Sequence, residues 1–239
     1  MQAAPVLDVR GLRRRYGEFD ALQGLELSVA AGECVAIIGR NGSGKTTAMR
    51  LIAGLLDPSG GSVNIAVASV HNDSKAIDAR AALAMVPDTP SLYEDLTVRE
   101  HLQLVVIAHG VASDRGIEQR ITLLLTRLGL DGKTDARPGA LSRGMRQKLQ
   151  LACALVRPHR LLMLDEPVVG LDPAAQRMLQ QLLREAKSTG VAVVLTTHQL
   201  DFARGIADRV VVLADGIVVA DGPYDEVVDG RTVREYGLL

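Results

Sequence analysis

Cysteine is nearly absent. The 239 residues hold two, Cys34 and Cys153, each in apolar company. Two thiols make neither a disulfide framework nor a zinc site at the usual ligand spacing, so both read as small buried hydrophobes in a reducing compartment. An excess of charge is missing as well. Lys and Arg number 27 against 28 Asp and Glu, a net charge of −1, whereas a nucleic-acid binder carries a basic excess or stripe. The one basic run, Arg13-Arg14-Arg15, reads as the solvated end of a strand, so nucleic acid is not an expected partner. No uncharged stretch supplies the ~20 apolar residues of a spanning helix. Residues 1–10 have neither the basic start nor the apolar centre of a secretory leader. The chain therefore reads as cytoplasmic, with any membrane role coming through a partner. What is present is a globular balance, 47% hydrophobic and 23% charged, which excludes disorder and fits one or two domains.

Hydrophobic periodicity divides the chain into three stretches. The first, Val6 to about Pro87, opens on short apolar runs at 6–9, 25–29 and 34–38. The last of these is continuous and bounded by glycines, as in a strand buried on both faces. A helix is expected from Gly44 to about Leu55, with Met49, Ile52 and Ala53 on one face. The middle stretch, about Ser91 to Val156, is mostly helical. Leu123, Leu124, Arg127 and Leu128 repeat at helical spacing until Gly129, and a second helix runs from Ser142 to about Val156 with Met145, Leu149, Ala152 and Val156 on its stripe. The third stretch returns to alternation: a buried strand at 161–164, an amphipathic helix through Met178, Leu179, Leu182, Leu183 and Ala186 ending at Gly190, and a buried strand at 191–195. Val210 to Leu213, Asp215-Gly216 and Ile217 to Val219 spell a hairpin. Alternation at both ends with a helical insert predicts an α/β core carrying a helical subdomain.

Three motifs carry chemistry. Gly39, Arg40, Asn41, Gly42, Ser43, Gly44, Lys45 and Thr46, with Thr47 following, match the phosphate-loop pattern GxxxxGK[ST] between a buried strand and a helix. Glycines there let backbone N–H groups point at phosphate oxygens, and the helix N-terminus adds positive potential. Lys45 brings a point charge to the β- and γ-phosphates, and the Thr46 hydroxyl suits Mg²⁺. Residues 161–164 form an apolar strand that ends in Asp165 and Glu166. Asp165 falls at the carboxyl edge of the sheet, placed to hold Mg²⁺, and Glu166 is suited to activate water as a general base. Between these lies Leu141 to Gln147, in which Ser142 either simply caps a helix or, with Gly144, offers a second phosphate site.

At this point the chain resembles the ATP-binding-cassette (ABC) ATPases over nearly all its length. The phosphate loop resembles the Walker A motif, Leu164 to Pro167 Walker B, Leu141 to Met145 the LSGGQ signature, and Gly170 to Pro173 the D-loop. Thr196-Thr197-His198 is similar to the strand-end switch histidine, and Tyr16 to the aromatic that stacks on adenine. The signature departs from the commonest form at Arg143 and Met145, in the manner of single-domain ATPases of ABC-2-type exporters. Asp88 stands where the family usually has Gln; there it is placed to reach Mg²⁺ beside the γ-phosphate, or alternatively to cap the turn between Pro87 and Pro90.

The resemblance implies a phosphate-loop NTPase (RecA-like) core at 1–90 and 157–239, with an antiparallel β subdomain, and a helical signature subdomain at 91–156. It implies an ATPase using ATP and Mg²⁺, with Glu166, His198 and Asp88 catalytic and Thr46, Asp165 and Asp88 at the metal. The implied partners are a separate transmembrane permease and a second nucleotide-binding subunit, identical or not, in a head-to-tail dimer on the inner face of the membrane. Export is favoured over import. A soluble ABC ATPase of iron–sulfur assembly or of nucleic-acid and ribosome work is the alternative, and a regulator that never hydrolyses is disfavoured by the presence of both Glu166 and His198.

Overall fold

Residues 4–66, 68–71 and 76–228 are described in the computed structural model. In chain order its strands and α-helices are β1 (Leu7–Tyr16), β2 (Phe19–Val29), β3 (Cys34–Ile38), α1 (Lys45–Ile52), β4 (Gly60–Ile65), β5 (Ala68–Ser69), α2 (Ala76–Ala81), β6 (Leu83–Val86), α3 (Val98–Ala108), α4 (Ile117–Arg127), α5 (Arg143–Leu155), β7 (Leu161–Asp165), α6 (Pro173–Ser188), β8 (Ala192–Thr196), α7 (Leu200–Arg204), β9 (Arg209–Ala214), β10 (Ile217–Pro223) and α8 (Tyr224–Val228). They fall into two compact units. One is Met1–Met85 with His159–Glu166 and Gln180–Leu239; the other is Val86–Pro158 with Pro167–Leu179.

The first unit holds two sheets. β2-β1-β4-β5 form a four-stranded antiparallel sheet, and β10-β9-β3-β8-β7-β6 a six-stranded one. In the larger sheet β3 runs parallel to β9 and to β8, and β8 runs parallel to β7. Every residue of β3, β7 and β8 is buried, which is why they read as continuous apolar runs. Parallel pairing aligns their carboxyl ends at one edge. Met49, Leu51 and Ile52 of α1 share a core cluster with Val35, Ile37, Met163 and Val194, and burying each such side chain is worth ~1.5–3 kcal/mol. The β9–β10 hairpin turns through Asp215 and Gly216, with φ of 48° and 77°, the left-handed pair the Asp-Gly dipeptide predicts. The opening strands run further than their apolar stretches suggest. β1 continues through the arginine run to Tyr16, because pairing with β2 supplies the hydrogen bonds that the polar side chains do not forbid.

The second unit is helical. Thr97 opens α3 with a full capping box, its hydroxyl accepting from Glu100 N–H while the Glu100 carboxylate accepts from Thr97 N–H. On α4 the buried stripe is Ile121, Leu124 and Leu125, continued by Leu128, whereas Leu123 is exposed. Leu124 and Leu128 of the expected repeat are thus buried and Leu123 is not, since three consecutive leucines leave the phase open and Ile121 decides it. Leu149, Ala152 and Val156 of the signature helix are buried as expected. Residues 86–90 and 167–179, assigned from sequence to the ATP-binding core, belong to this unit. The reason is packing: Pro167, Leu171, Met178 and Leu179 line one small cleft with Val86, Gln147 and Leu151.

Candidate functional site: a phosphate loop at the carboxyl edge of a parallel sheet

The loop that leaves β3 is shaped by close approach. A Cβ on Gly39 would strike Leu213 O and Ser43 Oγ, and one on Gly44 would strike Ala21 O. Gly44 also has φ +102° and caps α1 with no side-chain hydrogen bond, so only glycine fits both demands. The loop is pinned from behind, with Gly216 N–H donating to Ser43 O at 3.0 Å. α1 begins without an acidic residue in its first turn, leaving its positive end uncompensated. Ser43 Oγ is buried without a partner of its own. A buried hydroxyl without a partner, first-turn N–H groups at a helix N-terminus and a cradle closed to any Cβ together fit a polyphosphate.

Lys45 is 7% exposed and donates from Nζ to Gly39 O at 2.8 Å and to Arg40 O at 3.2 Å. Burial holds its ammonium below the ordinary lysine range, with the Glu166 and Asp165 carboxylates acting in the opposite direction. Nζ stands 3.8 Å from Glu166 Oε1. The other carboxylate oxygen, Glu166 Oε2, lies 2.9 Å from His198 Nδ1 and 3.4 Å from His198 N. An ionised carboxylate only accepts, so this contact assigns the Nδ1 proton to His198. Glu166 itself sits at φ +47°, unusual for a side chain with a Cβ. Its neighbour Asp165 is 1% exposed and accepts from Thr196 Oγ1 at 2.5 Å. Thr46 and Thr47 are half-buried on the first turn of α1, while Arg40, Asn41 and Gly42 are exposed.

The structure thus brings Lys45, Asp165, Glu166 and His198 together. It adds Thr196, which sequence reading had noted only as part of the strand end. The signal was available: a hydroxyl closing an otherwise apolar strand must find partners there. Tyr16 is half exposed at the end of β1, paired across the hairpin with Phe19. In the arginine run beside it Arg13 and Arg15 are exposed as expected, whereas Arg14 lies with its guanidinium carbon 4.6 Å from the Tyr16 ring centre and donates from Nη1 to Asp57 O at 2.7 Å.

In the helical unit, Ser142 caps α5, its hydroxyl accepting from Met145 N–H at 3.3 Å. Gly144 packs on the D-loop segment, where a Cβ would stand 3.1 Å from Gly170 O. Asp172 caps the start of α6 by accepting from Ala175 N–H at 2.8 Å, and that hydrogen bond lowers its carboxyl below the ordinary range. Asp88 is exposed, two residues beyond β6.

A phosphate loop at the edge of a mostly parallel sheet, with a strand-end Asp-Glu pair beside it, defines the class: an NTPase of the phosphate-loop fold. The family model described as "ABC transporter" matches residues 22–169. Over 97% of its length the chain is 39% identical to the Nod factor export ATP-binding protein I of Rhizobium meliloti (strain 1021), covering 69% of that protein. It is 37% identical to the protein of the same name from Burkholderia orbicola (strain AU 1054), over 97% of this chain and 75% of that one. Among solved structures, an ATP binding subunit of an ABC transporter superposes with a TM-score of 0.87 at 35% identity, covering 98% of this chain and 94% of the other. The cbiO1 protein of Clostridium perfringens, part of the ABC transporter complex cbiONQ, gives 0.81 at 28% identity over 99% and 96%. The chain belongs to the ABC transporter family and is an ATP-binding subunit with the family's ATPase activity. Among the described residues, no helix is long and apolar enough to cross a membrane.

Proposed function

We propose that this ATPase powers export through a separate membrane permease, working as a pair of nucleotide-binding subunits that close on two Mg-ATP at the inner face of the membrane. Export is supported by the names of the relatives, which are export ATP-binding proteins at up to 39% identity, and by the variant signature around Met145. The observation that carries the reading is the cluster of Glu166, Lys45 and His198 around one loop, within 3.8 Å of one another through Glu166.

Within that reading each residue has its own role. The N–H groups of Gly42 to Thr47 and the Lys45 ammonium bind the β- and γ-phosphates. The Thr46 hydroxyl and the Asp165 carboxylate hold Mg²⁺, a hard cation satisfied by one or two protein oxygens plus phosphates. When bound, the ion supplies positive charge to the phosphate oxygens. Glu166 accepts a proton from the attacking water, and His198 orients the Glu166 carboxylate through Oε2. Tyr16 stacks on the adenine. Ser142 and Gly144 of the second subunit complete the phosphate site, because the N-terminus of α5 presents free N–H groups. Asp88 takes the place of the family's Gln, with a role in linking nucleotide state to the permease.

The test is Glu166→Gln, which removes the basic oxygen and keeps the shape. Turnover is expected to fall by roughly 10²-fold or more with ATP binding intact, and ATP-bound dimer should accumulate in size-exclusion chromatography. Wild-type turnover in this variant overturns the assignment.

A further inference from the structure

We infer that Thr196 is a positioning residue of the ATPase site, whose hydroxyl sets the Asp165 carboxylate and the Glu166 backbone at once. The inference rests on the proposed roles of Asp165 at the metal and Glu166 at the water.

Register places Thr196 in the row that matters. In the parallel sheet it pairs with Ile37 of β3 on one side and with Asp165 of β7 on the other. It therefore lies between the strand that launches the phosphate loop and the strand that ends in the two acids. Side chains at paired positions of adjacent strands point the same way, so its hydroxyl meets Asp165 directly. The hydroxyl has one proton and spare lone pairs. It gives the proton to Asp165 Oδ1 at 2.5 Å and accepts from Glu166 N–H at 2.9 Å. The same N–H also reaches Thr196 O at 3.2 Å.

Those bonds act on two groups at once. One Asp165 oxygen accepts from the hydroxyl, which restrains the rotation of the carboxylate. Glu166 is held by its N–H in a left-handed conformation, φ +47°, which aims its carboxylate at His198 and Lys45. Thr196 is 0% exposed, in a strand whose preceding four residues are Ala192, Val193, Val194 and Leu195. A valine would fill that space without burying a hydroxyl, and the two bonds are what the hydroxyl adds. Thr197, equally buried, serves the following turn instead, where its Oγ1 accepts from Gln199 N–H at 3.0 Å.

The experiment compares Thr196→Val, which keeps the shape, with Thr196→Ser, which keeps the hydroxyl. In the full chain, Val should lower kcat roughly 10-fold or more, the range of a lost hydrogen bond to a charged group. KM for Mg-ATP should rise by no more than the Mg²⁺-dependent affinity that is lost, since Lys45 and the loop still hold the phosphates. Ser should recover most of kcat. A second readout needs no turnover: binding of a fluorescent ATP analogue in the Glu166→Gln background, with Mg²⁺ and with chelator. Val should abolish most of the affinity gained on adding Mg²⁺ and leave binding in chelator unchanged. A merely structural role would weaken both bindings together and lower Tm, and that result overturns the inference, as does a Val variant equal to wild type in kcat and Mg²⁺ response. If Glu166→Gln alone turns over normally, the proposed function of Glu166 fails instead, and the Mg²⁺ comparison still decides Thr196.

Discussion

At the residue scale the chemistry is concentrated in side chains that burial would ordinarily forbid. Lys45 and Asp165 are nearly inaccessible, and each is tolerated because specific partners meet its charge. Tyr16 is the opposite case, an aromatic left half exposed with one face on Arg14. If the other face receives adenine by stacking, Tyr16→Phe should keep ATP affinity, while Tyr16→Ala should lose about 1–3 kcal/mol, the range measured for base stacking on aromatic side chains. Equilibrium binding of ATP and GTP checks this, and the two bases should be poorly distinguished. The two cysteines give a prediction of a different kind. Burial pushes both Cys34 and Cys153 from 9.0 up to about 12, so the folded chain keeps protons that the unfolded chain releases. Stability should then be fully present below pH 9 and fall between pH 9 and 12, by about 1.4 kcal/mol per pH unit for each thiol. Chemical denaturation at stepped alkaline pH measures the slope, and a Cys34→Ala, Cys153→Ala double variant should lose this part of it. At pH 8 the folded protein should resist thiol reagents.

At the scale of elements, a single residue can serve a helix and a site together. Ser142 caps α5 and is also the residue expected to meet a phosphate. Ser142→Ala should cost about 1 kcal/mol of stability from the lost cap. Ser142→Asp should keep the cap, since an aspartate oxygen accepts from Met145 N–H as well as a hydroxyl does, but it sets a negative charge against the phosphate. Thermal melting should therefore recover in the Asp variant while ATPase activity does not. Recovery of both would reduce Ser142 to a helix cap.

At the scale of the whole molecule, the proposed pairing makes each phosphate site belong to two copies. Lys45→Met disables the loop of its own copy, and Ser142→Asp disables what that copy lends to its partner. Either variant alone forms only dead sites. Mixed, they form some dimers in which one copy has an intact loop facing an intact Ser142. ATPase activity should therefore appear on mixing two inactive preparations, rising with the product of their concentrations. Activity that stays absent at every ratio counts against sites shared between copies.

The sequence by itself determined the parts whose chemistry depends on local order. The loop from Gly39 to Thr46 was legible as the phosphate-loop pattern because strand, glycines, lysine and helix follow one another without a break. Buried strands such as Cys34–Ile38 and the run at 161–164 were legible because a strand covered on both faces reads as a continuous apolar run. The turn at Asp215-Gly216 was legible because few pairs accept two left-handed residues. Only the tertiary structure decided the rest. The burial phase of α4 waited on which neighbour Ile121 would meet, and the grouping of 167–179 with the helical unit waited on its packing with Leu151 and Val86. Above all, Thr196 became part of the site only when parallel pairing set it opposite Asp165. Residues 165 and 196 are far apart in the chain, and cross-strand register, which no local pattern encodes, is what brings a hydroxyl proton to a carboxylate.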